Sequence, residues 1–142
     1  MAHRRWIPMA ALFVLIASVA YGQGSALTPA KASPFMGTWV IEMTEPAAFR
    51  GTHTVRVWEK DGAVAASLQS GKFPATEATG IHRDGNMLVL TISHHAKPQP
   101  MMENGVPIWV VAALTLDGDS MKVALMLEPS QTIKRGTGKK QM

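Results

Sequence analysis

From Met36 onward the chain holds no apolar period of 3.6 residues over three turns. Apolar and polar positions instead alternate in short runs, bounded by Gly, Asp, Asn and Pro. The runs cover residues 37–43, 52–60, 63–70, 75–83, 86–95, 106–117, 120–128 and 131–137. They predict eight strands and no helix of any length.

Three of the intervening segments are hairpin turns by composition: Asp61-Gly62, Asp84-Gly85-Asn86 and Asp117-Gly118-Asp119. Gly, Asp and Asn tolerate the positive φ that tight hairpins demand. A turn at Asp61-Gly62 sets Lys60 opposite Ala63, Val57 opposite Ala66 and Val55 opposite Leu68. Arg56 and Ser67, with Thr54 and Gln69, then share the other face. A turn at Gly118-Asp119 sets Leu114 opposite Val123, Ala112 opposite Leu125 and Val110 opposite Leu127, with Thr115–Lys122 and Trp109–Glu128 behind. In the middle hairpin Ile81, Leu88, Leu90 and Ile92 fall on one face. Each hairpin thus has one apolar face. Hairpins joined in sequence must be neighbours in the sheet, so the pattern predicts an all-β, eight-stranded antiparallel up-and-down barrel.

Residues 1–26 have a different pattern. His3-Arg4-Arg5 precedes an apolar stretch from Trp6 to Ala20, and small residues follow at Ser18-Val19-Ala20 and again at Ala26. This is the layout of a signal-peptide helix with its cleavage region. The stretch is shorter than the roughly 20 residues of a bilayer span. The reading is therefore an exported protein, periplasmic or secreted, with no stable membrane span after signal removal. Residues 27–35 read as a flexible leader.

Composition narrows the chemistry. The chain carries 14 Lys+Arg against 10 Asp+Glu and no Cys, which excludes disulfides, thiolate metal sites and a cysteine nucleophile. Arg4 and Arg5 belong to the signal. Lys134, Arg135, Lys139 and Lys140 cluster near the C-terminus. The positive balance therefore describes the two ends and no basic groove, and nucleic-acid binding is not expected.

The first strand opens Phe35-Met36-Gly37-Thr38-Trp39. A Gly-x-Trp at the head of a meander resembles the lipocalins and the wider calycin superfamily, including small secreted bacterial lipocalin-like domains. The resemblance implies a lipocalin-like β-barrel over residues 36–137, with Trp39 closing one end. It implies a base from the last strand across the indole, here Arg135 in Thr132-Ile133-Lys134-Arg135. A cation over an indole face contributes about 0.5–2 kcal/mol. Residues 138–142 are left as a basic tail.

Candidate chemistry is sparse. His53 shares parity with Val55 and Val57, and His94 with Leu90 and Ile92, so both are expected to face inward. His94-His95 to Met101-Met102 forms a long His/Met loop with two prolines, a lid by its length and stiffness. Glu59 and Glu77 are placed at strand ends. There is no Gly-x-Ser-x-Gly, phosphate loop or His-Glu-x-x-His. No catalytic residue, metal ligand or cofactor is assigned. The expected function is binding of a small apolar molecule by His53, Val55, Val57, Leu68, Leu90, Ile92, His94, Val110 and Leu125. Outward apolar residues, Trp58, Val89, Trp109, Val111, Ala113 and Met126, form the kind of patch a homodimer covers. The alternative is a structural or protein-interaction module with a filled barrel, acting through that patch or the 94–105 loop.

Overall fold

The computed structural model describes residues 27–142, so the expected signal peptide lies outside the described residues. Eleven strands follow a short N-terminal turn of helix: β1 (Gly37–Glu45), β2 (Gly51–Lys60), β3 (Ala63–Ser70), β4 (Thr76–Glu77), β5 (Gly80–Asp84), β6 (Met87–Ile92), β7 (Met102–Glu103), β8 (Val106–Pro107), β9 (Trp109–Asp117), β10 (Ser120–Glu128) and β11 (Thr132–Lys140). Nine form one antiparallel sheet in the order β4-β3-β2-β1-β11-β10-β9-β6-β5, and β7 and β8 make a separate small hairpin. The sheet is strongly curled around a single core.

The expected pairings hold. Val57 faces Ala66 and Val55 faces Leu68. Leu114 faces Val123 and Ala112 faces Leu125. Ile81 faces Leu90. The turns adopt the conformations their residues allow. Asp61 and Gly62 both have positive φ, whereas the other two turns place only Gly85 and Gly118 there. The apolar face of each hairpin lies inside, and Val55, Leu88, Leu90, Ile92, Ala112 and Leu114 are fully buried.

Nine strands replace the expected eight because the run over 75–83 breaks. β4 pairs with β3, and β5 pairs with β6. Between them Ala78 N–H donates to Ala66 O on β3 at 2.8 Å, and Thr79 N–H donates to Thr91 O on β6 at 2.7 Å. The outermost strands of the sheet are therefore consecutive pieces of one chain segment.

Both ends of the domain differ from expectation. Residues 27–35 are not a loose leader. They form α1 (Pro29–Ala32) and a 3₁₀ turn η1 (Ser33–Phe35), with Ala32 and Phe35 fully buried. Val64 N–H donates to Leu27 O at 2.9 Å, and Arg83 donates to Lys31 O at 2.6 Å. The Arg83 guanidinium lies 5.1 Å from the Phe35 ring centroid. This segment plugs the end where the two-residue turns lie, here called the turn end.

Trp39 is buried in the same end, donating its indole N–H to Phe35 O at 2.9 Å. The base across it is Lys140, not Arg135. β11 continues through the supposed tail and sets Lys140 opposite Trp39, with Nζ 5.9 Å from the ring centroid. Arg135 is exposed and pairs with Glu45 at the other end of the strand. The strand thus runs past residue 137, where the tail was expected to begin. Gly136 and Gly138 are buried there because Met43 and Ile41 cross over them.

Candidate functional site

An up-and-down meander sends alternate connections to opposite ends. The loop end therefore collects the longer connections: 46–50, 71–75, 93–108 and 129–131. There the sheet opens into a cavity of about 380 Å³. Its wall is Leu68, Val110, Leu125 and Leu127, with Ile108 from the loop before β9. Its polar side chains are His53, Ser70, Thr76, Gln99 and Lys134, and its mouth is framed by Phe73, Pro74, Pro100, Met101 and Met102.

The long loop is fastened across this mouth. Glu77 N–H donates to Lys97 O at 2.9 Å, using the free edge of β4, and Ile108 N–H donates to Met101 O at 2.9 Å. The Thr76 hydroxyl donates to Gln99 O at 3.2 Å. Ala96, near the start of the loop, is buried. The β7–β8 hairpin forms its tip, turning through Asn104 and Gly105, both at positive φ. Phe73, Met102 and Val106 stand exposed around the opening.

His53 lies on β2 facing inward, only 8% exposed. Its Nδ1 is buried and has no hydrogen-bond partner. Burial holds its pKa below the usual histidine value. Lys134 pushes the same way, and the backbone of Thr52 partly opposes both. The imidazole is thus held neutral. Lys134 reaches the cavity because β11 pairs it with the inward Leu125.

Four of the expected ligand residues, His53, Leu68, Val110 and Leu125, line the cavity. Val55, Val57, Leu90 and Ile92 face the same interior but are fully packed and do not line it, although Val55 lies opposite the lining Leu68 and Ile92 opposite the lining Val110. Parity along a strand gives the face of a residue and not its depth. His94 is a correction. β6 stops at Ile92, and a turn closed by Ala96 N–H to Ser93 O at 3.0 Å ends the alternation. The His94 ring lies instead against His95 and the outward Trp109, tilted to both, at 3.8 and 5.2 Å between centroids. Glu59 and Glu77 are both exposed.

Sequence reasoning did not place Lys134, Leu127, Ile108 or Phe73 at the site, and it read the loop that carries Gln99–Met102 as a lid without assigning its residues to the cavity. Lys134 was accessible in principle, since it shares strand parity with the buried Gly136 and Gly138.

The outward apolar residues divide. Trp58 sits on β2 beneath the Arg56 guanidinium, 4.7 Å from its ring centroid. Val89, Val111, Ala113 and Met126 adjoin across β6, β9 and β10, and Ile133 on β11 extends the stripe. Trp109, Met126 and Ile133 are exposed. Arg135 borders a shallow outer depression with Thr44, Glu45, Lys122 and Thr137. Among the described residues no helix is long and apolar enough to cross a membrane. No family model, curated protein or solved structure significantly matches the chain.

Proposed function

We propose that the protein is an exported, non-catalytic carrier that binds a small, largely apolar molecule within a lipocalin-like barrel. The observation that carries this reading is the cavity of about 380 Å³ at the loop end. It falls within the roughly 300–1,000 Å³ range of small-molecule sites, and it joins apolar walls to a few convergent polar groups. Each 100 Å² of apolar ligand surface moved into it contributes about 2.5 kcal/mol before the cost of association. The lipocalin-like reading is supported by the meander order, by the two hydrogen bonds of Ala78 and Thr79 that join the sheet's edges, and by Trp39 beneath Lys140 at the plugged end.

The test is titration with N-phenyl-1-naphthylamine, an uncharged apolar fluorophore, alongside native mass spectrometry of protein recovered from its own host. The expected results are saturable micromolar binding and a co-purifying small molecule. Ser70, half-buried on the inward face at the mouth, offers a block: Ser70→Trp should abolish binding while leaving the melting temperature within about 4 °C. An unchanged affinity in that variant would place the probe elsewhere.

The stripe through Val111, Met126 and Ile133 supports a second reading, in which two copies of the chain associate through their outer faces. Light scattering that gives a strict monomer at millimolar concentration removes it.

A further inference from the structure

We propose that the loop end docks on an anionic lipid bilayer, with the tips of its connections seated at the level of the headgroups. The inference goes beyond the carrier reading and does not depend on it.

The distribution of exposed apolar side chains carries it. Phe73, Met102 and Val106 are 70%, 54% and 57% exposed. Phe73 stands on the 71–75 connection and the other two on the β7–β8 hairpin, and Phe73 and Met102 frame the same mouth. More follow at the same end. Trp109 opens β9 directly after the long connection, Ile133 is the second residue of β11, and Met126 pairs with Ile133; all three are exposed. Among the described residues, Met142 at the C-terminus is the single large apolar side chain exposed away from this end. Isolated apolar residues are ordinary on a surface, but a set gathered at one end marks a contact.

Charge identifies the occupant. The four connections of the loop end carry Arg50, Lys72 and Lys97, all exposed, against one acid, Glu103, which is half-buried. Lys72 precedes Phe73 in the chain. Gly71 N–H donates to Thr52 O at 3.0 Å, which sets the 71–75 connection beside the start of β2, just after Arg50. The bond from Glu77 N–H to Lys97 O brings Lys97 to the same rim. Glu45, Glu77 and Glu128 belong to the strands, at the ends of β1, β4 and β10. The tight turns at the opposite end have the reverse character: they hold Asp61 and Asp119, with no base and no large apolar residue.

Apolar tips flanked by bases match a bilayer with a negative surface. The tips enter the interface while the bases stay among the phosphates. Trp109 suits the same level, since an indole joins an apolar body to one N–H donor. A fluid bilayer also needs no matched relief of its own, so residues on separate loops and strand ends act together on it.

The experiment is flotation of protein recovered from its own host with vesicles of phosphatidylcholine, alone or with about 30% phosphatidylglycerol. The mixed vesicles are expected to bind at least about tenfold tighter, and added salt should weaken that preference. Lys72→Gln with Lys97→Gln should reduce the preference about fivefold or more. Phe73→Ser, Met102→Ser and Val106→Ser together should cut binding to about a tenth or less, whereas Met142→Ser should leave it unchanged. All of these side chains are exposed, so the variants should melt close to the unmodified protein. Brominated phosphatidylcholine in the mixed vesicles should quench Trp emission, and Trp109→Phe should remove most of that quenching. The proposal is overturned by absent flotation, by equal binding to the two vesicles, or by binding that survives the triple substitution. Light scattering that shows the triple substitution dissolving a dimer, with no vesicle binding, assigns the surface to a second copy instead. Should the triple variant not fold, lipid preference and Trp109 quenching in the unmodified protein still decide.

Discussion

Gly138 offers a sharp test of how the core is closed. It lies on β11 directly opposite Ile41 of β1, and a Cβ built on it would overlap Ile41 Cδ1, with Val40 O at 3.5 Å and Ile41 Cγ1 at 3.6 Å in ordinary contact. Ile41 is fully buried, so its end methyl has little free space to enter. Overpacking of this kind costs about 1–3 kcal/mol. Replacing Gly by Ala also removes unfolded-state freedom, which offsets about 0.4–1 kcal/mol. Gly138→Ala should therefore destabilise by about 1–2 kcal/mol. Ile41→Val deletes the one atom in the way and alone costs about 0.5–1.5 kcal/mol. Combined, the two changes should be less harmful than their sum, with a coupling of about 1 kcal/mol or more. Urea unfolding followed by Trp fluorescence reads all four corners of the cycle. Gly136→Ala is the control: its Cβ would meet the backbone of Glu42 and Met43, which no side-chain substitution relieves. A neutral Gly138→Ala, or strict additivity with Ile41→Val, would refute the argument.

Phe35→Ala should cost about 3–5 kcal/mol in urea unfolding, because the N-terminal plug is part of the core; a loss below about 1 kcal/mol would return residues 27–35 to the status of a spacer. His53 links stability to pH. Its folded pKa is depressed, chiefly by burial, so below the unfolded value near 6.5 the unfolded chain takes up the proton first. Its contribution is present above that value and is lost as pH falls through the folded one. Stability measured from pH 8 to pH 5 should show this decline, and His53→Gln should flatten it. Lys134→Met should move the His53 titration, followed by NMR of its ring protons, upward toward the ordinary value, and an unmoved midpoint would separate the two side chains.

Strand positions and registers were legible because Asp61-Gly62, Gly85-Asn86 and Gly118-Asp119 are two-residue turns, and such turns leave no freedom of register. Once the turn is placed, every partner along Val55–Val57 or Val110–Ala112 follows by counting. The misreadings share one cause. Local composition stands for structure only where the chain makes its own contacts. Gly138 reads as the start of a basic tail, yet the space left by its missing side chain is filled by Ile41 from nearly a hundred residues away. Pro29–Phe35 is too short for a period, and its order comes from Val64, Arg83 and Trp39. His94 obeys strand parity only if the strand reaches it, and β6 ends first.

The location of the candidate site was nevertheless implied by the same turns. In a meander, successive connections alternate between ends, so three two-residue turns must gather at one end and the longer connections at the other. Tight turns bring backbones together and leave no room for an opening, and the plug of Ala32, Phe35 and Trp39 completes that closure. Long connections can hold Phe73, Gln99 and Met101 clear of the sheet, and loops on a rigid scaffold are where binding groups concentrate. The division accounts for part of which inward residues are packed and which are lining. Val57, Leu88 and Leu114 lie a few residues from the turns, in the tightest part of the curl. His53, Leu68, Val110 and Leu125, on β2, β3, β9 and β10, lie farther from the turns, where the walls have no plug between them. Distance from the turn does not by itself separate the two sets, since Val55 is packed directly opposite the lining Leu68 and Ile92 directly opposite the lining Val110. On β11, Lys134 joins the lining by pairing with Leu125.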